Sequence, residues 1–157
     1  MTEGIRGETW RILAGVDFSA GSRNAAEWAA RQFGPDIELV LMHAIDLAVP
    51  PRALGGSDEH RIQERETARR GAQVRLRELR TRLGTKRVRT RIRVGPAAAQ
   101  LAAAARAMKA DVIVVGEPSA RSGLQRAFGT TVQELIRRST VPVLQTHCPP
   151  EQRIERI

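Results

Sequence analysis

One cysteine, Cys148, and no tyrosine occur among the 157 residues. A lone cysteine closes no internal disulfide, so the cross-linked framework of small secreted domains is excluded and a reducing compartment is expected. Three Phe and two Trp are the only aromatic residues. They are too few for the base-stacking platform of single-strand binders, and no zinc-finger spacing or RNP-like aromatic motif compensates. No apolar run reaches the roughly 18 residues a membrane span needs. The opening MTEGIRGETW lacks the basic start and apolar middle of a signal peptide. A cytoplasmic protein that makes no use of a membrane is expected.

The familiar catalytic signatures are missing too. There is no Walker A sequence, no G-x-G-x-x-G after the first strand, no G-x-S-x-G elbow and no H-E-x-x-H. His43, His60 and His147 are isolated in sequence, and Cys148 has no cationic cluster near it to favour a thiolate. His43, inside an apolar run, reads as a core or site-wall residue rather than a metal ligand. With neither a carboxylate pair nor a nucleophile–base pair in view, the chain is expected not to be an enzyme and to have no metal site of its own.

The net charge is +9 and the pI about 11.4. Many of the arginines sit among glutamates, as in HRIQERETARR. That pattern describes a solvated basic surface with a general attraction for anions, not a sequence-specific nucleic-acid site. Hydrophobic residues make up 41% of the chain, enough for one core at this length. The expected organisation is one domain over residues 1–148 and a short tail over 149–157.

Within that domain the pattern alternates. WRILAGVDF (10–18) is an apolar strand ending at a turn, and SAGSRNAAEWAARQFG then offers Ser19 or Ser22 as a helix N-cap. IELVLMHAI (37–45) is apolar without alternation, which suits a strand buried on both faces. After the Pro/Gly-rich 46–57, a long helix is expected from about Asp58 to Leu83, its buried stripe running through Ile62, Ala68, Ala72, Leu76, Leu79 and Leu83. RVRTRIRVG (87–95) alternates strictly. Val88, Thr90, Ile92 and Val94 face one way and four arginines the other, as on an edge strand guarded by charge. Pro96 stands at a helix first turn, followed by the alanine-rich AAAQLAAAARAMK and a third fully apolar strand, DVIVVG (111–116). A helix over about Thr130–Arg138 and a strand over 141–147 complete the series.

Strands joined by helical crossovers run parallel. Two edges and three buried strands are satisfied by a doubly wound, Rossmann-like α/β fold, a single five-stranded parallel sheet of order 3-2-1-4-5 with helices on both faces. In that order the chain reverses direction between the first and fourth strands, and a ligand crevice is expected at their carboxyl ends. Those ends are Val16-Asp17-Phe18 and Gly116. Asp17 is either a cap for the next helix or an acceptor for a sugar hydroxyl. Gly116 permits close approach to the backbone. Gly129-Thr130-Thr131 opens a helix whose free N–H groups favour an anion, while Thr130 with Gln133, or Thr131 with Glu134, also matches a capping box. Arg121 and Arg126 add positive charge to the intervening loop.

The spacing Gly116-x2-Ser119-x9-Gly129-Thr130, with RILAGVDFS, LVLMHAIDL, VGPAAAQLAAAARAMKADVIVVG and the closing VPVL, resembles the universal stress protein family of the ATP-binding-motif type. The likeness covers roughly residues 10–147. It implies a homodimer paired through 141–147 and a regulatory role in stress response through bound adenine nucleotide, with hydrolysis slow or absent. The ligand it implies is ATP, with Mg²⁺ as its usual companion. By position, Asp17 would meet the ribose and the main chain at Val16 and Ala44 the adenine, while Gly116, Ser119, Gly129, Thr130 and Thr131 would hold phosphate. Ser119 departs from the family's second glycine, at a cost of about 1–2 kcal/mol where that position has positive φ. The alternative is a nucleotide-free dimer of the same fold that recruits a protein partner.

Overall fold

The computed structural model describes residues 9–33, 36–46, 58–84, 87–117 and 130–147. Strands β1 (Trp10–Gly15), β2 (Ile37–Ile45), β3 (Val88–Val94), β4 (Val112–Gly116) and β5 (Val143–Thr146) alternate with helices α1 (Ala20–Gln32), α2 (Asp58–Leu83), α3 (Ala97–Met108) and α4 (Thr130–Arg138). The sheet is parallel throughout, in the order β3-β2-β1-β4-β5. Both the order and the edge position of β3 agree with the sequence pattern.

The two faces of β1 feed two separate cores. Ile12 and Ala14 join Ala25, Ala29, Leu76 and Leu79 beneath α1 and α2. Leu13 joins Leu101, Ala105, Ile113 and Leu135 beneath α3 and α4. Ile12, Leu13 and Ile113 are fully buried. This two-sided burial is why the central strands are apolar at every position instead of at alternate ones.

Local signals set the helix ends. Ser19 is the N-cap of α1, its hydroxyl accepting from the Ser22 N–H at 3.2 Å, a contact that contributes about 1 kcal/mol. Pro96 is the N-cap of α3 and lies just outside its first turn. Lys109, at φ 52°, ends that helix with its N–H directed to the Ala105 and Arg106 carbonyls.

Two expectations on side-chain burial are corrected. Ile62 is 57% exposed and Val94 47% exposed, although both were assigned to buried stripes. The 26 residues of α2 span about 39 Å at 1.5 Å each, against about 23 Å for the 7 residues of its neighbour β3. The helix outruns the sheet. Ala72, Leu76 and Leu79 pack, while from Asp58 to Gly71 only Ala68 is even partly buried. Val94 is the last residue of an edge strand and likewise passes the end of its cover. β5 is also shorter than 141–147, because Val141 and Pro142 precede the ladder.

Candidate functional site

At the carboxyl end of β1 the chain must leave the sheet and start α1 within a few residues. Phe18 does this with φ at 64°, a left-handed conformation costing an L-residue about 1–2 kcal/mol. Its ring is compensated by contacts on two sides. The His43 imidazole lies 4.5 Å away between centroids, and the Arg75 guanidinium sits 4.2 Å over the ring. The turn aims Asp17 outward at the mouth of a cleft of about 240 Å³.

Six of the eight residues singled out by position line this cleft: Val16, Asp17, Ala44, Gly116, Thr130 and Thr131. Ser119 and Gly129 lie outside the described residues, as do Arg121 and Arg126. The floor is apolar, formed by Gly15, Met42, Leu101 and Val115. One end carries Asp17 with Ser19 and Ser22; the other carries the first turn of α4.

Asp17 belongs to a small polar knot. Its carboxylate accepts from the Ser19 N–H at 2.9 Å, and its own N–H donates to the Ser22 hydroxyl at 3.2 Å. Partial burial raises its pKa. The Ser19 and Ser22 hydroxyls, with the main-chain N–H groups of Ser19 and Asp17, outweigh that and hold it below the ordinary 3.8. The carboxylate is therefore ionised at neutral pH and exposed toward the cleft mouth. Of the two sequence readings, the N-cap position of α1 falls to Ser19 and not to Asp17.

Val16 is more constrained than its position suggests. Its N–H is spent on the Met42 carbonyl at 2.8 Å, extending the β1–β2 ladder. Its carbonyl accepts from His43 Nδ1–H at 2.7 Å, which assigns the tautomer and makes His43 a satisfied wall residue of the cleft. The carbonyl's second lone pair is what Val16 still offers.

Gly116 must be glycine for a reason that sequence reasoning did not reach. A Cβ there would run into the main chain of Gly21 and Ser22, and one at Gly21 would run into the Glu117 carbonyl. The first turn of α1 thus packs backbone against backbone on the end of β4, which brings Asp17 and Gly116 to one cleft. Gly21 was missed. Its signal was a glycine in a first helical turn, where alanine would be favoured by about 1 kcal/mol.

At the far end, neither capping box forms. α4 begins at Thr130, so Thr131 lies inside the helix, and Glu134 turns forward to Arg138 at 2.7 Å. The Thr130 and Thr131 hydroxyls have no hydrogen-bond partner among the described residues. Beside them, Glu117 faces His147, with Oε1 and Nδ1 3.4 Å apart. Among the described residues no group of three or more His, Cys, Asp or Glu is placed to hold a metal, and no helix is long and apolar enough to cross a membrane.

A small parallel α/β domain with an open cleft at its topological switch point, floored by apolar residues and ending at a helix N-terminus, belongs to the doubly wound class, in which that point is where ligands are found. The profile of the Universal stress protein family matches residues 9–147. The chain belongs to the universal stress protein family. Comparison with curated proteins finds no match. Among solved structures, the universal stress protein UspA from Lactobacillus plantarum superposes with a TM-score of 0.75 at 20% identity, over 90% of this chain and 99% of that one. A universal stress protein in complex with cAMP gives a TM-score of 0.66 at 22% identity, over 90% and 98%. An Arabidopsis thaliana family protein with AMP bound gives a TM-score of 0.59 at 15% identity, over 90% and 97%.

Proposed function

We propose that the cleft binds an adenine nucleotide, ATP foremost, and that the protein acts as a nucleotide-responsive regulatory module in the cytoplasm during stress. The observation that carries this reading is the convergence of Val16, Asp17, Ala44, Gly116, Thr130 and Thr131 on one cleft. Family relatives in complex with cAMP and with AMP support the choice of base.

The residues fit the ligand. An ionised, exposed carboxylate suits a ribose diol, which brings two hydroxyl donors. The apolar floor between Met42 and Leu101 suits a flat base, and the Val16 lone pair suits its exocyclic amine. Two threonine hydroxyls and the N-terminal dipole of α4 suit phosphate. At about 240 Å³ the cleft is smaller than most whole-ligand sites, which start near about 300 Å³, so it matches a nucleoside with its phosphates extending past Thr130. Mg²⁺ is expected to travel with the phosphates, as it commonly does. The Glu117 carboxylate is turned to His147, with Oε1 and Nδ1 3.4 Å apart.

In this role the chain holds the nucleotide and does not rapidly hydrolyse it. This part of the reading rests on the sequence, which carries none of the familiar hydrolytic signatures. A homodimer through 141–147 belongs to the same proposal, with β5 at the edge of the sheet among the described residues and Leu144 36% exposed.

The test is to denature the purified protein and identify any released nucleotide, then to titrate the nucleotide-free protein with ATP. Saturation to about 100 times Kd should stabilise the fold by about 2.7 kcal/mol, read as a rise in Tm. Absence of both released nucleotide and ATP-dependent stabilisation would favour the nucleotide-free scaffold.

A further inference from the structure

A second, smaller cleft of about 50 Å³ opens between the start of α1 and the C-terminal third of α2, lined by Phe18, Arg23, Arg75, Glu78, Leu79 and Arg82. It shares no lining residue with the first cleft. Arg75 and Arg82 are seven residues apart on α2, so they lie on one face, and Arg23 reaches the same space from α1.

Some exposed helical arginines are matched within their own helix: Arg31 with Glu27, Arg70 with Glu66, Arg138 with Glu134. Here three exposed arginines line one small cleft with a single carboxylate, Glu78, and no ion pair joins it to any of them among the described residues. Two positive charges are left over at one concave spot. Like charges gathered this way repel unless an anion joins them. Arg75 is also held in orientation: its flat face lies 4.2 Å over the Phe18 ring, which leaves its N–H edge free to donate. A volume of about 50 Å³ is several times the roughly 10–15 Å³ that holds one water, so a small polyatomic anion has room.

We propose that this cleft is a phosphate site, taking the phosphate group of a small anionic ligand between Arg23, Arg75 and Arg82, with Glu78 as the one opposing charge. The site does not depend on the nucleotide reading of the first cleft. It communicates with that cleft through one side chain, because the Phe18 ring touches Arg75 on one side and His43 on the other.

Arginine-selective dicarbonyl labelling with peptide mass mapping tests this, using inorganic phosphate as the probe and sodium chloride at matched ionic strength as the reference. At about four times Kd, labelling of Arg23, Arg75 and Arg82 should slow about fivefold, following 1 + [L]/Kd. Arg69 and Arg77, on the same helix but outside the cleft, should keep their rates. Arg75→Lys preserves charge and loses the flat donor edge, so it should remove most of the protection at Arg23 and Arg82. Equal slowing of all five arginines, no slowing at all, or undiminished protection of Arg23 in Arg75→Gln/Arg82→Gln would each overturn the proposal. The ATP-dependent rise in Tm is read separately on the same double variant and should persist, so loss of one reading does not entail loss of the other.

Discussion

At the amino end of the sheet Trp10, Phe33 and Trp28 pack as a run of tilted and edge-on rings, with centroids 5.5 and 6.0 Å apart. At the carboxyl end the other described phenylalanine, Phe18, is held at positive φ, two glycines bring backbone against backbone, and a carboxylate faces solvent. The first end is covered by partly exposed rings packed on one another in ordinary conformations. The second is held in shape by close contacts and local strain, with its polar groups left partly unpaired. Strain persists only where surrounding structure over-determines it, and it gathers where a site needs a fixed geometry. The two ends therefore carry different kinds of information: one about stability, the other about ligand.

The contrast can be broken most forcefully at the glycine contact. Gly116→Ala or Gly21→Ala puts a methyl into main chain that cannot rotate away, so a loss of about 3 kcal/mol is expected in urea titration, together with loss of the ATP-dependent rise in Tm. Asp17→Asn tests the ligand half alone. It should weaken nucleotide binding by about 1.5–3 kcal/mol in calorimetry, the scale of a hydrogen bond to a charged group, while leaving the fold intact. Its pH signature has a definite sign. Because the folded-state pKa is lowered, the stability contributed by ionised Asp17 is fully present above 3.8 and is lost as pH falls through the lower folded value. The urea midpoints of the native protein and Asp17→Asn should differ by a constant amount near neutrality and converge below that point.

At the other end Trp10→Ala, at a side chain 49% exposed, should cost about 1–2 kcal/mol and leave nucleotide affinity unchanged. An altered affinity there would dissolve the distinction between the two ends. The smallest effect is expected for Phe18→Gly. Relief of the left-handed conformation offsets the lost ring contacts, so stability should stay within about 1 kcal/mol of the parent while Arg75 loses its platform.

Much of this was legible in the residues. The unbroken apolar runs of β1, β2 and β4 and the alternation of β3 are direct consequences of two-sided and one-sided burial, and they define the strand order. Asp17, Gly116 and Thr130 could be placed at one crevice because parallel topology puts the relevant strand and helix ends together. Ile62 was misjudged because apolar periodicity marks the stripe of a helix without marking where its support stops. Gly116 was read as admitting a ligand to the backbone; that its missing side chain is also required by α1 had no local signal. Phe18 left no trace, since an aromatic residue in the left-handed region contradicts every local preference.

Local chemistry and periodicity thus determined the elements, their order, the apolar strips and the edge of the sheet where a ligand belongs. These depend on interactions among near neighbours and on the exclusion of water from apolar faces, and both are written in the order of residues. Only the tertiary structure decided that Gly21 touches Gly116, that Val16 spends its N–H on Met42, and that Arg23, Arg75 and Arg82 line one cleft with Phe18. Those contacts join segments far apart in the chain, and their distances depend on how helices settle on a finished sheet.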